Sequence, residues 1–530
     1  MLILFEIWKV KTKMTNECRH TGDKMATDAF DHSCCKLILF VMTIILLCLC
    51  LPTGTFSYDL EKRVQRYTLK NGLKVLLLER HLSPTASLYI RHRVGAVDEI
   101  SGRTGTAHFL EHLMFKGTKT IGTRDYRREK KTLDKIAMIG NALDREKMKG
   151  GSADPKRITV LTHQLEVLQK KYKPLILANE IDRLYTENGG VDINASTGQD
   201  LTTYQASLPA NKIELWARIE ADRMTNPVFR EFYTERDVIM EERRQRVESD
   251  PDGKLLEQFF AAAFHAHPYG RPILGWPSDM RFLSYDYLKE FFRKYHAPNN
   301  TVIAVVGDIV PAGSLKIIKK YFERIPRQEI YISPVTEEPP QTGERRVELL
   351  FDANPRLIIG YHKPTLPSFD DYVFDVIDYL LSRGRTSRLY KRLVEVEGIA
   401  ESAQTANGMP GARYPNIFTI FAAPRHPHTN AELEKSVYAE IEKLKKEPVP
   451  EKEMRKIKNQ LKADLIRSLN SNSELASTLS YYEIMVGDFR YMTEHINVIE
   501  KITPEDIMRV AKKYLNPENR TVATLEKKTQ

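Results

Sequence analysis

Ser284-Tyr-Asp-Tyr-Leu-Lys-Glu-Phe-Phe-Arg-Lys-Tyr295-His-Ala-Pro298-Asn-Asn300-Thr-Val-Ile-Ala304 returns near the C terminus as Thr503-Pro-Glu-Asp-Ile-Met-Arg-Val-Ala-Lys-Lys-Tyr514-Leu-Asn-Pro517-Glu-Asn519-Arg-Thr-Val-Ala523. The two stretches align without a gap at one offset, 503 minus 284, or 219 residues. Each reads as a Ser- or Thr-capped amphipathic helix, a Pro/Asn turn and a β-branched strand. A chance match would rarely keep the cap, the Lys-Tyr pair, the proline, the asparagine and the strand in order, so the chain is read as two homologous α+β domains. The other reading is one common helix–turn–strand unit used twice, which leaves two domains without kinship. The boundary falls in the segment 326–346, rich in Pro and Glu, which contains Pro334, Pro339 and Pro340. It separates residues 58–325 from residues 347–530.

Length and composition agree with this division. The 530 residues are 42% hydrophobic and 9% aromatic, which is enough to bury cores and excludes a disordered or fibrous polymer. A net charge of +10 on 80 basic and 70 acidic side chains is too small an excess for a dedicated nucleic-acid binder, and no zinc-finger, RNA-recognition or basic-zipper pattern is present. No nucleic acid is therefore expected as a partner. The cysteines are Cys18, Cys34, Cys35, Cys48 and Cys50, so beyond Cys50 any metal must bind nitrogen and oxygen.

Residues 1–57 are set apart as a leader. Leu37–Leu51 is an uncharged apolar run after Lys36, followed by Pro52-Thr53-Gly54 and the small-residue pattern Thr55-Phe56-Ser57. It reads as a secretory signal with cleavage after Ser57, and it is short of the about 20 residues of a membrane span. The competing reading is an uncleaved N-terminal membrane anchor. Either way the protein is expected to be exported, to a periplasm or the extracellular space. Translation can also start at Met14 or Met25.

The first domain opens on a hairpin signal, Asn71-Gly72 between two strand-like runs, continues with a strand over Ala86–Val94, and reaches a helix over Thr104–Phe115. Residues 118–182 differ in texture: they are dense in charge with leucines at helical spacing, Leu161, Leu165 and Leu168, and are broken at Gly150-Gly151 and Asp154-Pro155. This reads as an inserted helical pair whose charged faces are solvated, with a partner-binding arm as the alternative.

The helix over Thr104–Phe115 carries His108-Phe-Leu-Glu111-His112. Residues four apart share a helical face, so both imidazoles can reach one ion with Glu111 beside them, in the order of the inverted zinc-peptidase pattern. Two histidines and a glutamate among Phe109, Leu110, Leu113 and Met114 would otherwise bury polar groups without compensation; satisfied core histidines are the alternative. A hydrolytic zinc site takes three protein ligands and leaves one position for water. The third ligand should be a His, Asp or Glu from elsewhere. The best segment is the helix Glu231–Val247, where Glu235 and Glu242 stand two turns apart on one face, so that one can bind metal while the other orients a ligand.

These segments resemble the M16 zinc peptidases, of the pitrilysin and mitochondrial-processing-peptidase type, and among them the bacterial single-chain members of two domains. The resemblance runs from about Val64 to Glu526 and rests on Gly105-Thr-Ala-His108-Phe-Leu-Glu111-His112-Leu-Met-Phe-Lys-Gly-Thr118, Asn194-Ala-Ser-Thr197, Glu235-Arg-Asp-Val-Ile-Met-Glu-Glu242 and Arg383-Gly-Arg-Thr-Ser-Arg-Leu-Tyr390, in that order. It implies two homologous domains, each a mainly antiparallel sheet with helices packed on it. It implies one Zn2+ per chain on His108, His112 and Glu242, with Glu111 as the general base and Glu235 as the carboxylate behind a ligand. From His112 to Glu242 the chain runs 130 residues, wider than is usual in that family, and the charged insertion accounts for most of the excess. The resemblance also makes the segment Asn194, Ala195, Ser196 and Thr197 an edge strand to which a substrate backbone adds, a mode in which main-chain bonds give affinity and alternate side chains select. An ordinary hairpin is the alternative.

The function expected from all this is a zinc-dependent endopeptidase acting on peptides or unfolded protein segments. The alternative is a zinc-binding, non-peptidolytic scaffold or partner subunit. The resemblance implies pairing as a homodimer or with a related chain. The second domain has no second His-x-x-Glu-His and is expected to be non-catalytic, and Arg413 and Tyr414 are a poor match for the Arg/Tyr pair that active relatives take from that domain.

Overall fold

The computed structural model describes residues 56–330 and 334–528. The apolar run Leu37–Leu51 and all five cysteines lie outside them, as do residues 331–333 of the boundary segment. No helix among the described residues is long and apolar enough to cross a membrane. A short helix, Phe56–Arg63, comes first in sequence, and the chain from Arg63 onward forms one compact body.

That body is a mixed α+β structure built on two sheets. The first has six strands, β1 (Gln65–Thr68), β2 (Lys74–Glu79), β3 (Thr85–His92), β4 (Val191–Thr197), β5 (Thr202–Pro209) and β6 (Thr301–Gly307), in the order β1-β2-β6-β3-β5-β4. The second has five, β7 (Arg345–Phe351), β8 (Arg356–Lys363), β9 (Ala400–Met409), β10 (Asn416–Pro424) and β11 (Arg520–Lys527), in the order β7-β11-β8-β10-β9. Leaving out β1, the two orders are the same. Each sheet has one parallel pair, β2 with β6 and β7 with β11, and is otherwise antiparallel.

The helices that matter for the site are α1 (Thr106–Met114), α2 (Tyr126–Lys147), α3 (Pro155–Tyr172), α4 (Phe232–Arg243), α5 (Pro251–Ala263) and α6 (Tyr285–Tyr295) in the first half. In the second half they are α7 (Phe369–Ser382), α8 (Asn472–Met485), α9 (Tyr491–Lys501) and α10 (Pro504–Tyr514). The repeated segment is α6 with β6 and α10 with β11. Its asparagine does the same work twice. Asn300 donates to the Tyr295 carbonyl at 2.8 Å and the Arg93 carbonyl at 3.1 Å, and Asn519 donates to the Tyr514 carbonyl at 2.8 Å and the His362 carbonyl at 2.7 Å. Each amide thereby ties the last turn of a helix, whose carbonyls lack helical partners, to the end of the neighbouring strand.

The halves also exchange a helix. α5 of the first half packs on the second sheet, where Leu255 and Phe259 meet Ile358, Ile417, Ala523 and Leu525. α8, at the matching place in the second half, packs on β3 and β6 of the first sheet. Covered on both faces, β6 is buried along its whole length, which is why Val302–Val306 reads as an unbroken apolar run. Gly360 of β8 is small because Phe259 lies on it: a Cβ there would come within 2.4 Å of the ring.

Candidate metal centre

α1 starts at Gly105, whose φ of +85° suits glycine and where a Cβ would meet the Met280 sulfur at 2.4 Å. Its first turn is capped from outside by Glu99, which accepts from the Gly105 and Ala107 amides at 2.7 Å each. Glu99 is itself buried, and burial pushes its carboxyl well above the usual range against those two donors. Nothing in the local sequence marks this cap, because a carboxylate six residues before the helix is not a capping pattern.

α1 and α4 then bring the expected residues together. His108 and Glu111 are only 7% and 8% exposed, and His112 is half-buried. Nε2 of His112 lies 3.4 Å, and Nε2 of His108 3.8 Å, from the Glu242 Oε2 atom. The two rings stand 4.7 Å apart. Behind them Glu235 takes a hydrogen bond from His112 Nδ1 at 3.1 Å and an ion pair from Lys116 Nζ at 2.5 Å. Burial raises the Glu235 pKa, but the His112 and Lys116 bonds outweigh it and hold the carboxyl below the usual range. An ionised Glu235 can only accept, so His112 carries a proton on Nδ1 and turns Nε2 toward Glu242. Burial lowers the His112 pKa, but Glu235, Glu242 and Glu111 outweigh it and hold it above the usual range.

The donor set fits a zinc ion. The ligand atoms of His108, His112 and Glu242 all lie within 4.8 Å of one another. Distances of 3.4 and 3.8 Å are too long for hydrogen bonds. They are near the about 3.4 Å that separates two tetrahedral ligands each about 2.1 Å from zinc. Burial lowers the His108 pKa to about 3, so the ring is neutral as a ligand must be, and its Nδ1 is buried without a hydrogen-bond partner. Glu241, one residue from Glu242, points elsewhere and pairs with Arg244 at 2.5 Å.

Glu111 stands apart from this trio. Burial raises its pKa, and Thr197 Oγ1 donates to its Oε2 at 2.6 Å. Thr197 ends β4, the outermost strand of the first sheet, so the carboxylate is tied to the edge at which Asn194, Ala195 and Ser196 face a cleft of about 630 Å³. Asn194 and Ser196 are exposed, while Ala195 and Thr197 turn partly inward. A register shift between Val191 and Asn194, with Asp192 at φ +53°, bends this edge. Across the cleft stand Leu256 and Phe260 of α5, and Pro410 enters from the second half.

Two features bear on the sequence reading. Arg413 is not presented to the cleft: it is buried, binds Asp98 through two bonds of 2.9 and 3.0 Å, and joins the halves beside Asp200. The Tyr414 amide is taken up by the Tyr269 hydroxyl at 3.2 Å. The insertion is likewise not merely solvated, since Glu129 and Asp144 of α2 are buried against arginines of the α4 segment.

Comparison with known proteins places these observations. The family model for insulinase, peptidase family M16, matches residues 74–149 and 150–276, and that for the peptidase M16 inactive domain matches residues 283–461. The zinc protease PqqE of Helicobacter pylori is 28% identical over 506 residues, spanning 93% of this chain and 99% of its own. The probable mitochondrial-processing peptidase subunit beta of Arabidopsis thaliana is 23% identical over 462 residues, 84% of this chain and 75% of its own. A solved protease from Helicobacter pylori superposes with a TM-score of 0.73 at 27% identity, over 87% of this chain and 99% of that one.

Proposed function

The chain belongs to peptidase family M16, and on that premise we propose that it is a zinc-dependent endopeptidase that hydrolyses peptides or unfolded protein segments. The observation that carries the reading is the convergence of His108, His112 and Glu242 beside a buried, still separate Glu111. When bound there, zinc supplies a Lewis acid that acidifies a water and polarises a peptide carbonyl. His108, His112 and Glu242 hold the ion. Glu235 fixes the tautomer and tilt of His112. Glu111, its pKa raised by burial, takes a proton from water and passes it to the leaving amine. As the outermost strand, β4 offers its free edge to an extended chain, and Thr197 couples that edge to the base.

Domain organisation follows the repeat: residues 58–325 as the catalytic domain with the insertion 118–182, residues 326–346 as linker and residues 347–530 as its non-catalytic counterpart. Export to a periplasm or the extracellular space is proposed on the Leu37–Leu51 run, and N-terminal sequencing of the mature chain tests whether that run is removed or kept as an anchor. Pairing, with a second copy or a related chain, is tested by the solution mass.

A quenched-peptide assay with and without chelator tests the activity. Cleavage should vanish on chelation and return with zinc. Glu111→Gln should keep zinc without turnover, and His108→Ala should lose both. Bound zinc with no cleavage of any peptide pool would favour the scaffold over the enzyme.

A further inference from the structure

The pair α2–α3 is inserted into the chain between the histidines and Glu242, and it leaves and re-enters the fold at one neck. There the Arg124 amide donates to the Leu175 carbonyl at 2.9 Å and the Leu177 amide to the Gly122 carbonyl at 3.1 Å. Beyond the neck the pair lies against α4, the helix of Glu235 and Glu242. Its grip has three points. Glu129 of α2, fully buried, takes Arg230 at 2.6 and 3.0 Å, and the same guanidinium donates to the Lys116 and Thr118 carbonyls just past α1 at 2.9 and 2.6 Å. Asp144 of α2 takes Arg236 of α4 at 2.9 and 3.2 Å. Between them the Tyr233 ring lies on Gly140, where a Cβ would fall 2.0 Å from it.

These contacts reach the side of α4 away from the metal. Tyr233 is about 200° around the helix from Glu235, at about 100° per residue. A glycine inside a helix costs about 1 kcal/mol relative to alanine, so Gly140 marks a packing need. Arg230 connects the exit of the histidine helix, the start of the carboxylate helix and the insertion, and so sets the gap between the two ligand-bearing elements.

We propose that α2–α3 is a brace that fixes α4 against α1, with Gly140, Asp144 and Arg236 as positioning residues for the Glu235 and Glu242 carboxylates. This rests on the zinc-peptidase reading. Orientation from outside a metal's own ligands commonly carries 10- to 100-fold in affinity or activity.

The test is zinc affinity by chelator competition, with kcat and KM, on the full chain and on Asp144→Asn, Asp144→Glu and Gly140→Ala. Asp144→Asn keeps the side-chain volume and removes only the charge that holds Arg236, so it guards against loss of folding in Gly140→Ala. Folded Asp144→Asn and Gly140→Ala should bind zinc about 10-fold more weakly and lose kcat by a like factor with KM unchanged, and Asp144→Glu should restore most of both. Unaltered affinity and kcat in the folded variants would overturn the brace while leaving the peptidase intact. A parent chain that takes up no zinc would overturn the reading beneath it as well.

Discussion

The two halves place acids on matching helices and treat them in opposite ways. In the first half, Thr197 of the edge strand β4 donates to Glu111 of α1 at 2.6 Å, and in the second, Thr405 of the edge strand β9 donates to Asp378 of α7 at 2.6 Å. Around these similar bonds the charge accounting diverges. α7 carries Asp371, Asp375 and Asp378, and each has a cationic or protonatable partner from the protein: Lys363 on Asp371, His495 Nε2 at 2.7 Å from Asp375 and Arg383 Nε at 3.0 Å from Asp378. Burial lowers the Lys363 pKa and raises that of Asp371, and the attraction between them opposes both shifts. α1 and α4 instead face two imidazoles toward one carboxylate oxygen at distances too long to bond. The α7 acids are met by the protein's own side chains, whereas Glu242, paired with Arg246 through Oε1 at 3.1 Å, leaves Oε2 facing two imidazoles, an arrangement that suits a cation.

The largest break in this comparison is in turnover. Glu111→Gln should lower kcat by about 10²- to 10⁴-fold, the usual contribution of a general acid–base group, while Asp378→Asn should leave peptide cleavage per folded molecule at the parent rate. Stability should respond the other way round. Asp371→Asn leaves the Lys363 ammonium buried without its partner, so about 3–5 kcal/mol should be lost in denaturant unfolding with zinc uptake unchanged. The exchanged helices sharpen the contrast further. α5 meets the second sheet through Phe259, and Phe259→Ala should cost about 3–5 kcal/mol. α8 meets the first through small polar residues such as Ser480, which accepts from Arg91 Nε at 2.9 Å, and Ser480→Ala should cost about 1 kcal/mol. Equal losses at the two positions would show that the exchange is energetically symmetric after all.

Much of this arrangement is legible in the sequence because it is local. The repeat survives as a cap, a turn and a strand in one short window, and the candidate metal site survives as helical spacings, four residues between His108 and His112 and seven between Glu235 and Glu242. What escapes is made by pairing across long separations. Asp144 and Arg236 look like ordinary solvated helix charges until α2 is laid on α4, and Arg413 shows no sign of its contact with Asp98, 315 residues away. The acids of α7 sit in a mostly apolar helix, Phe369–Ser382, and that signal of buried charge could have been read, but their partners Lys363 and His495 come from a strand and a helix on either side in sequence. The exchange of α5 and α8 has no local signature, since an apolar helix face does not record which sheet it covers.

The central claim concerns the zinc ion proposed to lie between His108, His112 and the Glu242 Oε2 atom. Metal analysis of the purified chain, of Glu111→Gln and of His112→Ala tests it most directly: one zinc per chain is expected in the first two and none in the third. Zinc at the same stoichiometry in His112→Ala, or none in the parent chain after incubation with the metal, would contradict it.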